Sequence, residues 1–98
     1  MQVTLHIVTV KPETAQWWGP VNVEKSDQIL EAIKAIPGFV SYDKKFIDDN
    51  TVEQTIVFES IEASLLYRDL WRNNPAIVER KKYNEENLIV TFTTETYN

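Results

Sequence analysis

Hydrophobic and polar positions alternate along this chain in two rhythms, one of period two and one of three to four, and the changes of rhythm mark the elements. Residues 2–10 set Val3, Leu5 and Ile7 against Thr4, His6 and Val8, which predicts a strand with two different faces. From Ser26 the apolar residues Ile29, Leu30, Ile33 and Ile36 recur at helical spacing, with Ser26 or Asp27 able to cap a helix running to about Ala35. Pro37-Gly38 stops that helix, because proline disfavours helix for the residue before it and glycine supplies the positive φ of a C-cap. A second strand follows from Phe39 to Ile47, and Asp48-Asp49-Asn50 turns it into a hairpin. In the third strand Val52, Gln54, Ile56 and Phe58 alternate with Glu53, Thr55, Val57 and Glu59. Ser60 then caps a second helix whose Leu66, Leu70 and Trp71 form a stripe toward the sheet, and Pro75, with Asn74 as cap, starts a further helical piece ending near Tyr83. Asn84 to Asn87 turn the chain, and residues 88–96 set Leu88, Val90 and Phe92 against Ile89, Thr91 and Thr93 in a last strand. Residues 11–25, with Pro12, Trp17, Trp18, Gly19 and Pro20 and no period, read as one long loop.

The order strand, helix, strand, strand, helix, strand predicts an α+β, ferredoxin-like βαββαβ fold with a four-stranded antiparallel sheet and two helices on one face. The helices are expected to cover Val3, Leu5, Ile7, Ile56, Phe58, Leu88, Val90 and Phe92. The opposite face, with Thr4, His6, Val8, Thr55, Val57, Ile89, Thr91 and Thr93, is too apolar to stay open and too polar for a plain core. A homodimer is expected to cover it.

Composition narrows the function classes. Ninety-eight residues make room for one small domain spanning 1–98, and 43% hydrophobic with 26% charged residues is ordinary for a soluble globular chain. No cysteine is present, which removes disulfides, thiolate metal sites and thiol nucleophiles and is compatible with a reducing compartment. A net charge of −5 argues against nucleic acid, and Arg80-Lys81-Lys82 reads as a solvated helix end. No basic leader segment opens the chain and no apolar run approaches the roughly 18 to 20 residues of a membrane span, so a cytoplasmic protein without membrane contact is expected.

The strings Pro37-Gly38-Phe39-Val40-Ser41-Tyr42 and Phe58-Glu59-Ser60-Ile61-Glu62-Ala63, in this order of elements, resemble the dimeric α/β-barrel superfamily, and especially antibiotic-biosynthesis-monooxygenase-like proteins. The resemblance implies two sheets paired face to face around a cavity. The haem-degrading branch carries a haem-ligating histidine late in its second helix, where this chain has Glu79-Arg80-Lys81, so no haem and no other cofactor is expected.

Candidate chemistry is sparse. His6, the sole histidine, sits on the mixed face of the first strand, either as a general base or as a residue hydrogen-bonded at the dimer seam. Tyr42 is its companion candidate for assisting a deprotonation. Trp17 and Trp18 beside Gly19-Pro20 read as a cavity wall or as dimer packing, and Trp71 with Tyr67 as cavity rim or as core. The expected ligand-binding set is Thr4, Val8, Trp17, Trp18, Thr55, Val57, Trp71, Thr91 and Thr93, around a small apolar or amphipathic molecule. The acids Asp43, Asp48, Asp49 and Glu53 gather near the hairpin without a histidine at ligand spacing, so no metal is expected. Three functions remain open: ligand binding, a cofactor-independent monooxygenase on a phenolic or quinol-like substrate, and a structural or regulatory interaction module without a ligand.

Overall fold

In the computed structural model, which describes Met1–Asn98, β1 (Val3–Val10) lies inside a sheet, paired antiparallel with β3 (Thr51–Phe58) on one side and β4 (Val90–Tyr97) on the other. β2 (Phe39–Asp48) pairs with β3 and completes the order β2-β3-β1-β4. This is the expected ferredoxin-like antiparallel sheet. Each crossover carries two helices: α1 (Trp18–Val21) and α2 (Val23–Lys34) between β1 and β2, then α3 (Ile61–Asn73) and α4 (Pro75–Glu86) between β3 and β4. Val3, Leu5 and Ile7 of β1 and Ile56 and Phe58 of β3 share one buried cluster with Ile29 and Ile33 of α2, Ala63 and Tyr67 of α3 and Ile77 of α4. Burial of their apolar area, at about 25 cal/mol per Å², holds the helical layer on the sheet.

Several local readings change. α2 begins at Val23, one turn before Ser26, whose amide already bonds to the Asn22 carbonyl; Ser26 and Asp27 are therefore inside the helix and do not cap it. The expected long loop shrinks to residues 11–17, because Gly19 and Pro20 occupy the first turn of α1, where missing amide donors cost nothing. On α3 the inward residues are Ala63, Ser64 and Tyr67 with Leu70 and Trp71 partly buried, while Leu66 is exposed. Asn74 accepts amide bonds from Ala76 and Ile77 and Ser60 accepts one from Ala63, so both expected caps are present.

The largest change concerns β4. Its residues pair Thr91 with Thr9, Phe92 with Val8, Thr93 with Ile7 and Thr94 with His6. Because opposed residues share a face, Thr91 and Thr93 lie on the helix side, and Val90 and Phe92 lie on the open side with His6 and Val8. The alternation read from the sequence puts this strand in the opposite phase. The cause is Leu88, which takes φ 59° at the end of α4: the Ile89 amide bonds back to the Asn84 carbonyl and the Leu88 amide to that of Glu85, the two bonds of a Schellman motif. Leu88 is thus turned out to solvent and Ile89 turned in, and the strand continues in that phase, with Val90 and Phe92 out and Thr91 and Thr93 in.

Gly38 is the second left-handed residue, at φ 94°, but it is not a helix cap. α2 has already ended, and Ile36-Pro37-Gly38-Phe39 forms a turn closed by the Phe39 amide on the Ile36 carbonyl, with proline and glycine at the positions a type II turn prefers. A Cβ on Gly38 would stand 2.7 Å from that of Ala63, the first buried residue of α3.

Two substitutions test these left-handed positions. Gly38→Ala adds both conformational strain and a clash, and urea unfolding should show a loss of about 1–3 kcal/mol. Leu88→Gly relieves strain at an exposed site and should raise stability by up to about 1 kcal/mol; a loss there would contradict the motif.

Candidate functional site

Between the helical layer and the β2 side of the sheet the core is incomplete, leaving a cavity of about 440 Å³. That is within the roughly 300–1,000 Å³ of small-molecule sites. Its walls follow from the strand and helix periods. Tyr42, Lys44 and Phe46 are alternate residues of β2 that face the helices, opposite Ile56, Gln54 and Val52 of β3. Ile29, Ile33 and Leu30 come from α2, Trp18 from α1, Tyr67 and Trp71 from α3, and Arg80 and Asn84 from α4.

The aromatic side chains form a connected row. Phe39 meets Phe58, Phe58 meets Tyr67 and Tyr67 meets Trp71, with ring centroids 6.3, 5.7 and 6.3 Å apart. Arg80 ends the row, its guanidinium carbon 5.6 Å from the centre of the Trp71 ring. At the hairpin end Trp17 donates its indole N–H to the Asp49 carbonyl at 3.1 Å and stands edge-on to Phe46. Trp18 is buried in the core beside it. Both tryptophans of the pair therefore pack within their own chain.

Two cations, Arg80 and Lys44, and one exposed acid, Asp27, line this cavity. Burial pushes the guanidinium of Arg80 below its ordinary value, with partial compensation from Tyr67 and Tyr42, and burial followed by the charge of Arg80 lowers Lys44. Burial raises the hydroxyls of Tyr42 and Tyr67, a rise that Arg80 partly offsets at both. At neutral pH both phenols are hydrogen-bond donors, and neither is a base.

The expected site residues divide across the sheet. Tyr42, Trp17, Trp18, Trp71 and Thr91 line the cavity. Thr4, His6, Val8, Thr55 and Val57 lie on the open face, with His6 opposite Thr55, Thr4 opposite Val57 and Val8 opposite Glu53. His6 sits 3.2 Å from the Glu53 carboxylate, diagonal to it across the ladder. Thr93 faces the helix side without lining the cavity. One sheet thickness thus separates the two groups, and they do not surround a common space. No three or more His, Asp or Glu side chains converge as a metal site would require.

Arg80, Lys44, Gln54 and Asn84 complete the wall, and none of them stands out in the sequence. By its neighbours Arg80 belongs with Lys81 and Lys82 on a solvated helix end, yet only those two lysines are exposed. The available signal is spacing: Arg80 and Asn84 follow Ile77 by three and seven, the positions of one helix face.

No protein-family model matches the chain, and no curated protein does. Among solved structures it is similar to SnoaB, a cofactor-independent oxygenase from Streptomyces nogalater, with 13% identity, a TM-score of 0.65 and coverage of 99% of this chain and 92% of that one. It is also similar to a protein provisionally named an antibiotic biosynthesis monooxygenase from Deinococcus radiodurans, with 11% identity, a TM-score of 0.67 and coverage of 98% and 91%. Rv0793 from Mycobacterium tuberculosis matches at 16% identity and a TM-score of 0.64, covering 100% of this chain and 97% of that one. The chain has the ferredoxin-like fold of antibiotic-biosynthesis-monooxygenase-like proteins. No helix is long and apolar enough to cross a membrane.

Alkaline titration tests the cavity's electrostatics. Absorbance at 295 nm should show a late-ionising component, and Tyr42→Phe and Tyr67→Phe should each remove part of it. The folded state holds these protons more tightly than the unfolded chain does. The stability they contribute is therefore full below the ordinary tyrosine value of 10.0 and is lost as pH rises above it.

Proposed function

We propose that the chain is a homodimeric α/β-barrel protein that binds a small amphipathic molecule in the cavity between its helices and its sheet. The observation that carries this reading is the cavity itself: a pocket open on one side, with tryptophan and isoleucine walls and polar groups at Arg80, Tyr42 and Gln54. The pocket opens to solvent past the exposed Val23, Lys44 and Phe46, so a guest can reach the apolar walls from outside.

The open face supports the dimer. Val90 and Phe92 are exposed there, Phe92 by 61%, and lie in register with Val10 and Val8. A second copy pairing face to face would bury them together with Val57 and the His6–Glu53 pair. In this arrangement His6 belongs to the interface and Tyr42 to the ligand.

A cofactor-independent monooxygenase acting on a phenolic or quinol-like substrate with molecular oxygen is the second reading, favoured by the fold shared with SnoaB. It assigns deprotonation to His6 or Tyr42. His6 lies across the sheet from the cavity, and Tyr42 keeps its proton at neutral pH. Binding without turnover is therefore the better-supported function.

Tryptophan fluorescence should respond to medium-chain fatty acids or phenolic compounds, and Tyr42→Phe should weaken binding by about 1 kcal/mol through the lost hydrogen bond. His6→Ala should leave that response in place. A silent compound panel would overturn the ligand reading, and oxygen uptake with a hydroquinone panel would restore the monooxygenase. Light scattering on a size-exclusion column should return twice the 11.4 kDa chain mass, and Phe92→Glu should return one chain mass. A monomeric parent chain at micromolar concentration would refute the dimer.

A further inference from the structure

We propose that the molecule the cavity accepts carries a carboxylate, held by the guanidinium of Arg80 beside Tyr42 and Tyr67, with its apolar part against Trp18 and Ile33. This rests on the reading of the cavity as a ligand site and names the ligand's chemistry.

The chain has fifteen acidic residues and a net charge of −5, yet the basic side chains that meet a carboxylate are Lys25 at Glu79, Arg68 at Glu95 and the imidazole of His6 at Glu53. Arg80 has no carboxylate partner. Lys44, the second cation on the cavity wall, has none either, and its ammonium rests 5.1 Å over the Phe46 ring. The only acid on the wall is Asp27, which is exposed on α2 and pairs with neither cation.

A guanidinium withdrawn from bulk water is costly unless something compensates its charge. The ring of Trp71 beneath it compensates in part and orients it. No side-chain nitrogen or oxygen in the structure is sealed off without a partner, so the N–H groups of Arg80 that meet no protein acceptor reach cavity space. That leaves a guanidinium with free donors in the pocket, next to the phenols of Tyr42 and Tyr67, which can donate to the same group, while the amides of Gln54 and Asn84 can serve either way. An unpaired guanidinium flanked by two hydroxyl donors complements an anionic acceptor. A guanidinium presents its N–H groups as a planar fork that matches the two oxygens of a carboxylate, which an alcohol or an amine cannot offer. The remaining walls are aliphatic and aromatic and fit a hydrocarbon portion.

The test titrates tryptophan fluorescence of the full chain at pH 8 and low salt with three probes of equal chain length, decanoate, decanol and decylamine, each kept below its aggregation threshold. Decanoate should bind at least tenfold tighter than decanol, with decylamine weakest, and Arg80→Gln should bring decanoate down to the level of decanol. Arg80→Lys should keep part of the preference, since it retains the charge and loses the fork. Equal affinity of decanoate and decanol for the parent chain overturns the carboxylate and leaves the ligand site standing, an outcome that needs no variant to fold. Binding of none of the three overturns the ligand site and the carboxylate together.

Discussion

β1 runs inside the sheet with hydrogen-bonded neighbours on both sides, and its side chains therefore point alternately to two surfaces that never meet. Val3, Leu5 and Ile7 are committed to the helices and are almost completely buried; Thr4, His6 and Val8 are then committed to the other surface. Every assignment in the molecule inherits this division. β3 and β4 take their faces from their register with β1, and β2 takes its face from β3, so the helix-facing set Tyr42, Lys44 and Phe46 follows from the placement of Ile56 opposite Tyr42. The only histidine cannot serve a cavity behind the sheet, whatever its chemistry.

The cavity is the complementary consequence. Helices on one face of a twisted sheet cannot touch every strand equally, and here the fully buried strand residues of the main core cluster all belong to β1 and β3, with Phe39 and Tyr42 of β2 only partly buried against them. Toward β2 the gap is bridged by large side chains rather than filled, with α4 tied to its surroundings by polar contacts: Lys25 with Glu79 at 2.8 Å and the Tyr83 hydroxyl to the Gln16 carbonyl at 2.7 Å. α4 has Ile77 as its only buried residue and is held less by apolar packing than α3 is. A helix so held can present a charge inward, which a tightly packed one cannot.

Much of this was legible in the sequence, and the failures share a cause. The alternation of β1 and β3, the caps Ser60 and Asn74 and the hairpin at Asp48-Asp49-Asn50 are local features whose physics does not depend on what lies across the core. The face of β4 was not legible, because it hangs on the backbone conformation of Leu88, a residue type that seldom turns left-handed. The short helix α1 was hidden by Gly19-Pro20, which signals a loop everywhere except in a helix's first turn. For the site, aromatic residues drew attention by size, and Trp17, Trp18, Trp71 and Tyr42 do line the cavity. Arg80 was lost among neighbouring cations because α4 carries too few apolar residues to define a stripe. A single inward charge has no period.

The pairing of β1 with β4 joins the two extremes of the chain: Gln2 and Asn98 exchange reciprocal backbone hydrogen bonds, and Val3 stands opposite Tyr97. The β2–β3 hairpin, by contrast, closes through Asp49 and Asn50, and α3 and α4 are neighbours in sequence. Loop-closure entropy therefore orders assembly, with the hairpin and helices cheap to form and the β4 ladder expensive. Nearly the whole cavity wall comes from elements before β4, whereas Val90 and Phe92 reach the open face only when β4 docks. The last strand thus supplies almost nothing to the cavity and the most exposed apolar side chains of the opposite face, so the two surfaces of the sheet depend on different stretches of the chain.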